Sequence, residues 1–230
     1  MSKKIRFIDC GANVGKAVSW AKNKYKENLI KIDAFEPEYF NYTTLLEKFA
    51  TLAQVEDNPV PITIHTQAVW VEDVIKNFYI QAWGTRTGSS LLRSKEQAIK
   101  SGQYIPEYYR GIRLDFSNNN HFVTGEKNGY RAKTDCALNI PSLSFPVQCI
   151  DLSDWIIKNL SKDEHNILKI DIEGAEYKVI EHLLNTEAHE YIDEWLVEFT
   201  PKYKAPEDFN QEVIDKFKST VTKYVDWGYF

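Results

Sequence analysis

The sequence is short of everything that marks a stapled, membrane-spanning or strongly basic protein. Its 230 residues hold three cysteines, Cys10, Cys136 and Cys149, scattered and without a C-x-x-C pair. That excludes a disulfide scaffold and a zinc ribbon, and it makes a reduced, intracellular setting the default. No apolar run approaches the ~20 residues that a membrane span needs. The opening Met1-Ser-Lys-Lys-Ile-Arg-Phe-Ile-Asp has no apolar signal core and no cleavage site. A cytoplasmic location with no membrane partner is therefore expected. The sequons at Asn41 and Asn159 carry no weight in such a setting. Positive charge is not in excess either. The formal net charge is −5 and the mean hydropathy −0.44, which argues against a strongly basic nucleic-acid binder. There is no internal repeat and no flexible interdomain linker. What remains is 43% hydrophobic and 27% charged, enough for a large core in one domain spanning 1–230.

The chain alternates strand and helix patterns at both ends. Ile5 to Asp9 is a short apolar strand. Val14, Ala17, Val18, Ala21 and Tyr25 then form an amphipathic helical stripe. Lys31 to Phe35 is a second strand, followed by Pro37 and a helical face at Tyr42, Leu45, Leu46, Phe49 and Leu52. Ile62 to His65 is a third strand. Ala68 to Glu72 and Asn77 to Ala82 are expected to form a hairpin. Alternation resumes at Val147 to Ile150 and continues through strands at Ile167 to Asp171 and Glu194 to Phe199, with helices between and after them. This order predicts an α/β fold with a Rossmann-like, mostly parallel sheet, helices on both faces and a long insertion before the fourth core strand.

The insertion, Gly84 to Pro146, has little periodicity and is too long for an ordinary connection. It holds nine Lys and Arg against five Asp and Glu, a charge of +4 on a body of −9. A basic segment on an acidic body is suited to a polar or anionic ligand. Tyr104, Tyr108, Tyr109, Arg110, Arg113, His121, Tyr130, Arg131 and Lys133 mix aromatic faces with cations. Such a set stacks on rings and holds carboxylates or phosphates. An ordinary folded lid with internally packed tyrosines is the competing reading.

Three motifs carry chemistry. In Phe7-Ile-Asp-Cys-Gly-Ala-Asn-Val-Gly15 a strand ends in an acid, a glycine turn follows and a helix begins. Gly11 and Gly15 let backbone pass close to a ligand. The run is G-x-x-x-G rather than the dinucleotide G-x-G-x-x-G. The Asp9 carboxylate would repel a pyrophosphate and suits a cation such as S-adenosylmethionine. Glu36 ends the second strand, where a carboxylate can accept both ribose hydroxyls of a nucleoside. Leu168-Lys-Ile-Asp-Ile-Glu-Gly-Ala-Glu176 places Asp171, Glu173 and Glu176 within six residues at another strand end. Carboxylates so crowded must hydrogen-bond, hold a cation or titrate. Glu176 can equally be a helix-start acid. Glu198 can reach the same mouth.

The ordered set FIDCGANVG, AFEP at Ala34 to Pro37, Ala68-Val69, Gly88-Ser-Ser-Leu91, Ile150-Asp-Leu152, LKIDIEGAE and Val197-Glu-Phe199 resembles FkbM-type methyltransferases. These are class I enzymes that use S-adenosylmethionine and mostly methylate oxygen. The resemblance implies that Asp9, Gly11, Ala12, Asn13 and Gly15 surround the methionine end of the cofactor. It implies that Glu36 and Pro37 meet the ribose, and that Ala68 and Val69 lie beside the adenine, with Trp70 a candidate to stack there. Asp171 belongs to the cofactor set as well. It and Glu173 are the candidates to orient the acceptor or take its proton, with His65, His121 and His165 behind them. A divalent metal suits carboxylates at a strand mouth but is not expected to be obligate.

The stretch between Ser90 and Val147 is longer than the family usually carries, so the acceptor does not transfer. The family also often continues past Gly228-Tyr-Phe230 into a last strand, so a reduced final hairpin is expected. The leading expectation is O-methylation of a carbohydrate or related polar hydroxyl, such as a glycan or sugar nucleotide. RNA, including a cap ribose, ranks below it as an acceptor. A non-catalytic S-adenosylmethionine-binding module and an NAD-dependent oxidoreductase stay open as other classes. The sequence leaves the oligomeric state undetermined.

Overall fold

Strand and helix alternate from the first element of the computed structural model. It describes residues 3–55, 59–79, 89–92, 144–201 and 208–229, together with four short strands between 113 and 131. In chain order the main elements are β1 (Ile5–Cys10), α1 (Lys16–Tyr25), β2 (Leu29–Phe35), α2 (Tyr39–Val55), β3 (Ile62–His65), β4 (Ala68–Trp70) and β5 (Val74–Tyr79). The short strands are β6 (Arg113–Asp115), β7 (Phe122–Thr124), β8 (Glu126–Lys127) and β9 (Tyr130–Arg131), which pair antiparallel as β6–β7 and β8–β9. Then follow β10 (Ser144–Asp151), α3 (Leu152–Asn159), β11 (His165–Ile170), α4 (Glu176–Asn185), β12 (Glu194–Val197), α5 (Gln211–Thr220) and β13 (Tyr224–Asp226). Most of the insertion expected over 84–146, including Tyr104, Tyr108, Tyr109, Arg110, His121 and Lys133, lies outside the described residues.

The main sheet has six strands in the order β13-β12-β11-β1-β2-β3. Every pairing in it is parallel. The chain winds outward from β1 to β3, then returns to the other side of β1 with β11. That reversal opens a crevice at the carboxyl ends of β1 and β11, the place where open α/β sheets bind ligands. β13 pairs parallel with β12, and no antiparallel strand joins the main sheet among the described residues.

Alternation along each strand divides the core into two layers. Phe7, Ile32, Ala34, Ile167 and Leu196 face one side, against Ala17, Val18 and Ala21 of α1 and Leu45 and Phe49 of α2. Ile8, Phe35, Leu168, Ile170 and Trp195 face the other, against α3, α4 and α5 through Ile156, Val179, Ile180, Leu183 and Phe217. Full burial of side chains of this size contributes roughly 1.5–3 kcal/mol each. The helices enter cleanly where a cap is present. The Asp151 carboxylate accepts from Ser153 N and Asp154 N at the start of α3, and Asn210 does the same for Glu212 N and Val213 N at α5.

The expected hairpin of Ala68 to Glu72 with Asn77 to Ala82 does not form. β10 lies between the two strands in a separate sheet of order β4-β10-β5. It pairs parallel with β4, Cys149 opposite Ala68, and antiparallel with β5, Cys149 opposite Val74. A strand some seventy residues downstream outcompetes the local pairing. This second sheet walls one side of the crevice. No helix among the described residues is long and apolar enough to cross a membrane.

Candidate functional site

Two strand-end turns meet over the crevice. After β1, Gly11 N and Ala12 N both donate to the Phe35 carbonyl, at 3.1 and 2.9 Å. The turn needs left-handed backbone at Gly11 (φ +83°), Asn13 (+50°) and Gly15 (+80°). After β11, Asp171 N donates to the Cys10 carbonyl at 3.1 Å, and Glu173 (φ +57°) and Gly174 (+109°) turn the chain into α4. Gly11 is a glycine for a reason beyond ligand approach. A Cβ there would stand 2.0 Å from the Asp171 carbonyl oxygen.

Between these turns lies a cavity of about 410 Å³. Of the sequence-predicted site residues, Gly11, Ala12, Asn13, Glu36, Pro37, Ala68, Val69, Asp171 and Glu173 line it, and so does Glu198. Asp9, Gly15 and Trp70 do not. Asp9 is fully buried in β1, where its register partner is Lys169. Asp171 lies two residues beyond Lys169, just past the end of β11, and so reaches the mouth. Gly15 is spent on packing: a Cβ would come within 2.5 Å of Leu45 and 2.6 Å of Phe49. Trp70 is buried in the core beneath Lys76 and Lys178, whose ammonium groups lie 4.7 and 5.8 Å from its ring.

The floor is an ion cluster. Lys169, buried, lies 3.2 Å from Asp9 Oδ1 and 3.3 Å from Asp171 Oδ2, and donates to the Gly11 carbonyl at 2.8 Å. Burial works against its ammonium, but the carboxylates of Asp171 and Asp9 outweigh it, and the lysine pKa is raised. Burial raises the Asp9 carboxyl above the ordinary range against the pull of Lys169. Sequence reading missed Lys169. A charged residue inside an apolar strand shows its role only when the register sets Asp9 opposite it.

Glu36 directly follows β2, with its N–H donating to the His65 carbonyl. Its Oε2 accepts from Asn13 N at 2.7 Å and its Oε1 from Glu38 N at 2.8 Å. Burial, opposed by those two amides, pushes the carboxyl up to about 7. Glu176 is built alike but sealed away from the cavity. It accepts from Ile172 N at 3.0 Å, Gly174 N at 2.8 Å and the Thr200 hydroxyl at 3.2 Å. Burial pushes it, too, to about 7. It braces the turn that presents Asp171 and Glu173.

The histidines considered as bases stand elsewhere. His65 stacks on Phe35 at 4.3 Å and has Nε2 3.1 Å from Asp33. His165 opens β11, at the opposite end of the sheet, 3.7 Å from Asp193 and Glu194. His121 lies outside the described residues. No group of three or more His, Cys, Asp or Glu among the described residues is placed to hold a metal ion. The cavity also has walls that the sequence analysis did not assign to the site: Val14 and Lys16 at the first turn, Phe78 from the second sheet, Ser89 downstream of it, Trp227 and Gly228 from the chain's end, and Asn41 from α2.

The model of the methyltransferase FkbM domain matches residues 9–220. No relative among curated proteins matches. Among solved structures, a methyltransferase FkbM from Methylobacillus flagellatus KT is similar, at 13% identity and a TM-score of 0.48. The alignment covers 93% of this chain and 37% of that one, so the chain spans little more than a third of that protein's length.

Proposed function

The chain belongs to the FkbM methyltransferase domain family, and on that premise we propose that it is an S-adenosylmethionine-dependent O-methyltransferase acting on a hydroxyl of a carbohydrate or related polar acceptor. The observation that carries the cofactor assignment is the lining of the cavity. Four carboxylates, Glu36, Asp171, Glu173 and Glu198, face two lysines, Lys16 and Lys169. An acid-rich wall favours a cationic ligand over a pyrophosphate. The residues present fit the cofactor. Each Glu36 oxygen already takes one backbone N–H and keeps a lone pair for a ribose hydroxyl. The cavity volume falls within the ~300–1,000 Å³ typical of small-molecule sites.

S-adenosylmethionine, when bound, supplies a methyl group on a sulfonium. The protein's task is then alignment and proton removal. Displacement requires the acceptor oxygen in line with the methyl, a demand of geometry rather than of strong binding. An aliphatic hydroxyl loses its proton as the new bond forms, and a positioned carboxylate contributes to that step. Asp171, with Oδ2 held by Lys169, and Glu173 at the same mouth are assigned to orient the hydroxyl and take the proton.

Titration calorimetry with S-adenosylmethionine, S-adenosylhomocysteine and NAD tests the cofactor assignment. Tight NAD binding without sulfonium binding would overturn it. A radiolabelled methyl-transfer screen over glycans, sugar nucleotides and RNA tests the acceptor class, and label on RNA alone would replace the carbohydrate reading. The +4 segment from Gly84 to Pro146 is assigned to acceptor choice, because loops on a rigid scaffold usually set the substrate. Arg110→Ala, Arg113→Ala and Arg131→Ala should lower acceptor kcat/KM with little change in cofactor affinity, and less so at high salt. Unchanged acceptor kinetics in all three would remove the segment from substrate recognition.

A further inference from the structure

We propose that Asn41 reads the ribose of the bound cofactor, its side-chain oxygen accepting a hydrogen bond from a ribose hydroxyl. The inference rests on the cavity being an S-adenosylmethionine site and adds a recognition residue to it. Asn41 stands in the first turn of α2, is 1% exposed and lines the cavity. Its Oδ1 is buried and has no hydrogen-bond partner among the described residues. A buried amide oxygen without a donor is costly, and native proteins keep few of them. In a cavity wall the missing donor is a group the ligand brings.

The backbone that carries this side chain is held beside Glu36. Asn41 N donates to Glu38 Oε2 at 2.8 Å, and Glu38 N donates to Glu36 Oε1 at 2.8 Å. Two hydrogen bonds therefore tie Asn41 to the carboxylate assigned to the ribose. The Glu36 carboxylate and Asn41 Oδ1 are both acceptors, and a vicinal diol offers two O–H donors. Phosphate oxygens would bring further acceptors and leave Oδ1 unpaired. As a sequon asparagine this residue looked idle. Its burial leaves no room for a glycan and gives it an inward-facing task.

The test compares wild type with Asn41→Leu, a variant of similar volume without the acceptor. Binding of S-adenosylhomocysteine and of its 2′-deoxy and 3′-deoxy forms is measured by calorimetry, and ligand-free stability by urea melts. Loss of one neutral hydrogen bond should weaken S-adenosylhomocysteine binding roughly 3- to 10-fold. The variant and wild type should bind one of the two deoxy forms equally, because that form lacks the donor Asn41 takes. Ligand-free stability should hold or rise, since an orphan acceptor has been removed. A purely structural asparagine would instead lower ligand-free stability and leave the ribose discrimination intact. Equal binding of S-adenosylhomocysteine by both proteins overturns the inference alone. So does an equal loss against all three ligands, which would place the contact elsewhere on the ligand. Wild-type protein that binds neither S-adenosylmethionine nor S-adenosylhomocysteine overturns the function reading and the inference with it.

Discussion

The turn after β1 and the turn after β11 look alike and are put to different uses. Each follows an Ile-Asp pair, Ile8-Asp9 and Ile170-Asp171. Each needs left-handed backbone. Each is laced by a buried glutamate, Glu36 holding Asn13 N and Glu176 holding Ile172 N and Gly174 N. The difference lies in what faces the cavity. In the first turn the brace itself lines it, so the group that shapes the turn is free to bind. In the second the brace is sealed and further occupied by Thr200, and the turn presents Asp171 and Glu173 instead. Holding a ligand and acting on it are thereby assigned to separate turns.

The strongest way to break this division is Asp171→Asn. It keeps size and one oxygen but removes charge and proton-accepting capacity. Turnover should fall by ~10²–10⁴, while calorimetry shows cofactor affinity changed far less. A variant that turns over normally would move the chemistry off the second turn. Chelation of the wild type should leave activity in place; a loss matching that of Asp171→Asn would give Asp171 a metal instead.

Next in size is Glu176→Ala. Two amides and a hydroxyl lose their buried acceptor at once, and stability should drop by roughly 2–4 kcal/mol, read from urea midpoints. A smaller drop than that of Glu36→Ala would invert the assignment of brace and binder.

Glu36→Ala should weaken S-adenosylmethionine by about 1–3 kcal/mol and leave kcat at saturation close to wild type. An unchanged dissociation constant in the folded variant would move the ribose elsewhere.

The smallest effect separates the two glutamates by pH. Burial pushes both carboxyls to about 7, above their unfolded value near ~4.3. Between these limits the folded protein holds protons that the unfolded chain has released. The stabilisation is therefore complete below about 4.3 and is lost as pH rises through 7, by up to about 1.4 kcal/mol per pH unit for each group. Saturating S-adenosylhomocysteine should cancel the Glu36 share, because ribose hydroxyls favour its carboxylate, and leave the Glu176 share. Urea melts from pH 5 to 8 with and without ligand read both. An identical slope in the two series would mean that the ligand does not touch Glu36.

Much of this was legible before the fold was seen, and the exceptions share a cause. β1, β2 and β11 follow from apolar runs bounded by turn residues, because burial on both faces of a parallel sheet leaves that trace. The Ala68-to-Ala82 hairpin failed because β10, far along the chain, fits between its arms, and local pattern carries no word of a distant partner. Asp9 was placed in the cavity and Asp171 beside it, though the register offsets them by two residues. That offset also hid Lys169, whose charge is compensated by residues on two different elements. Asn41 was masked by a sequon. Gly11 and Gly15 were identified as close approaches, but the approaching atoms are the protein's own.

Gly11 has a consequence for how such a site can change over time. With the Asp171 carbonyl filling the space a methyl group would need, the two turns share one wall and move as one part. A substitution at 11 is felt at 171 before any ligand arrives, so a lesion in the binding turn would be scored in an assay as a defect of chemistry. The two halves of the site cannot drift independently.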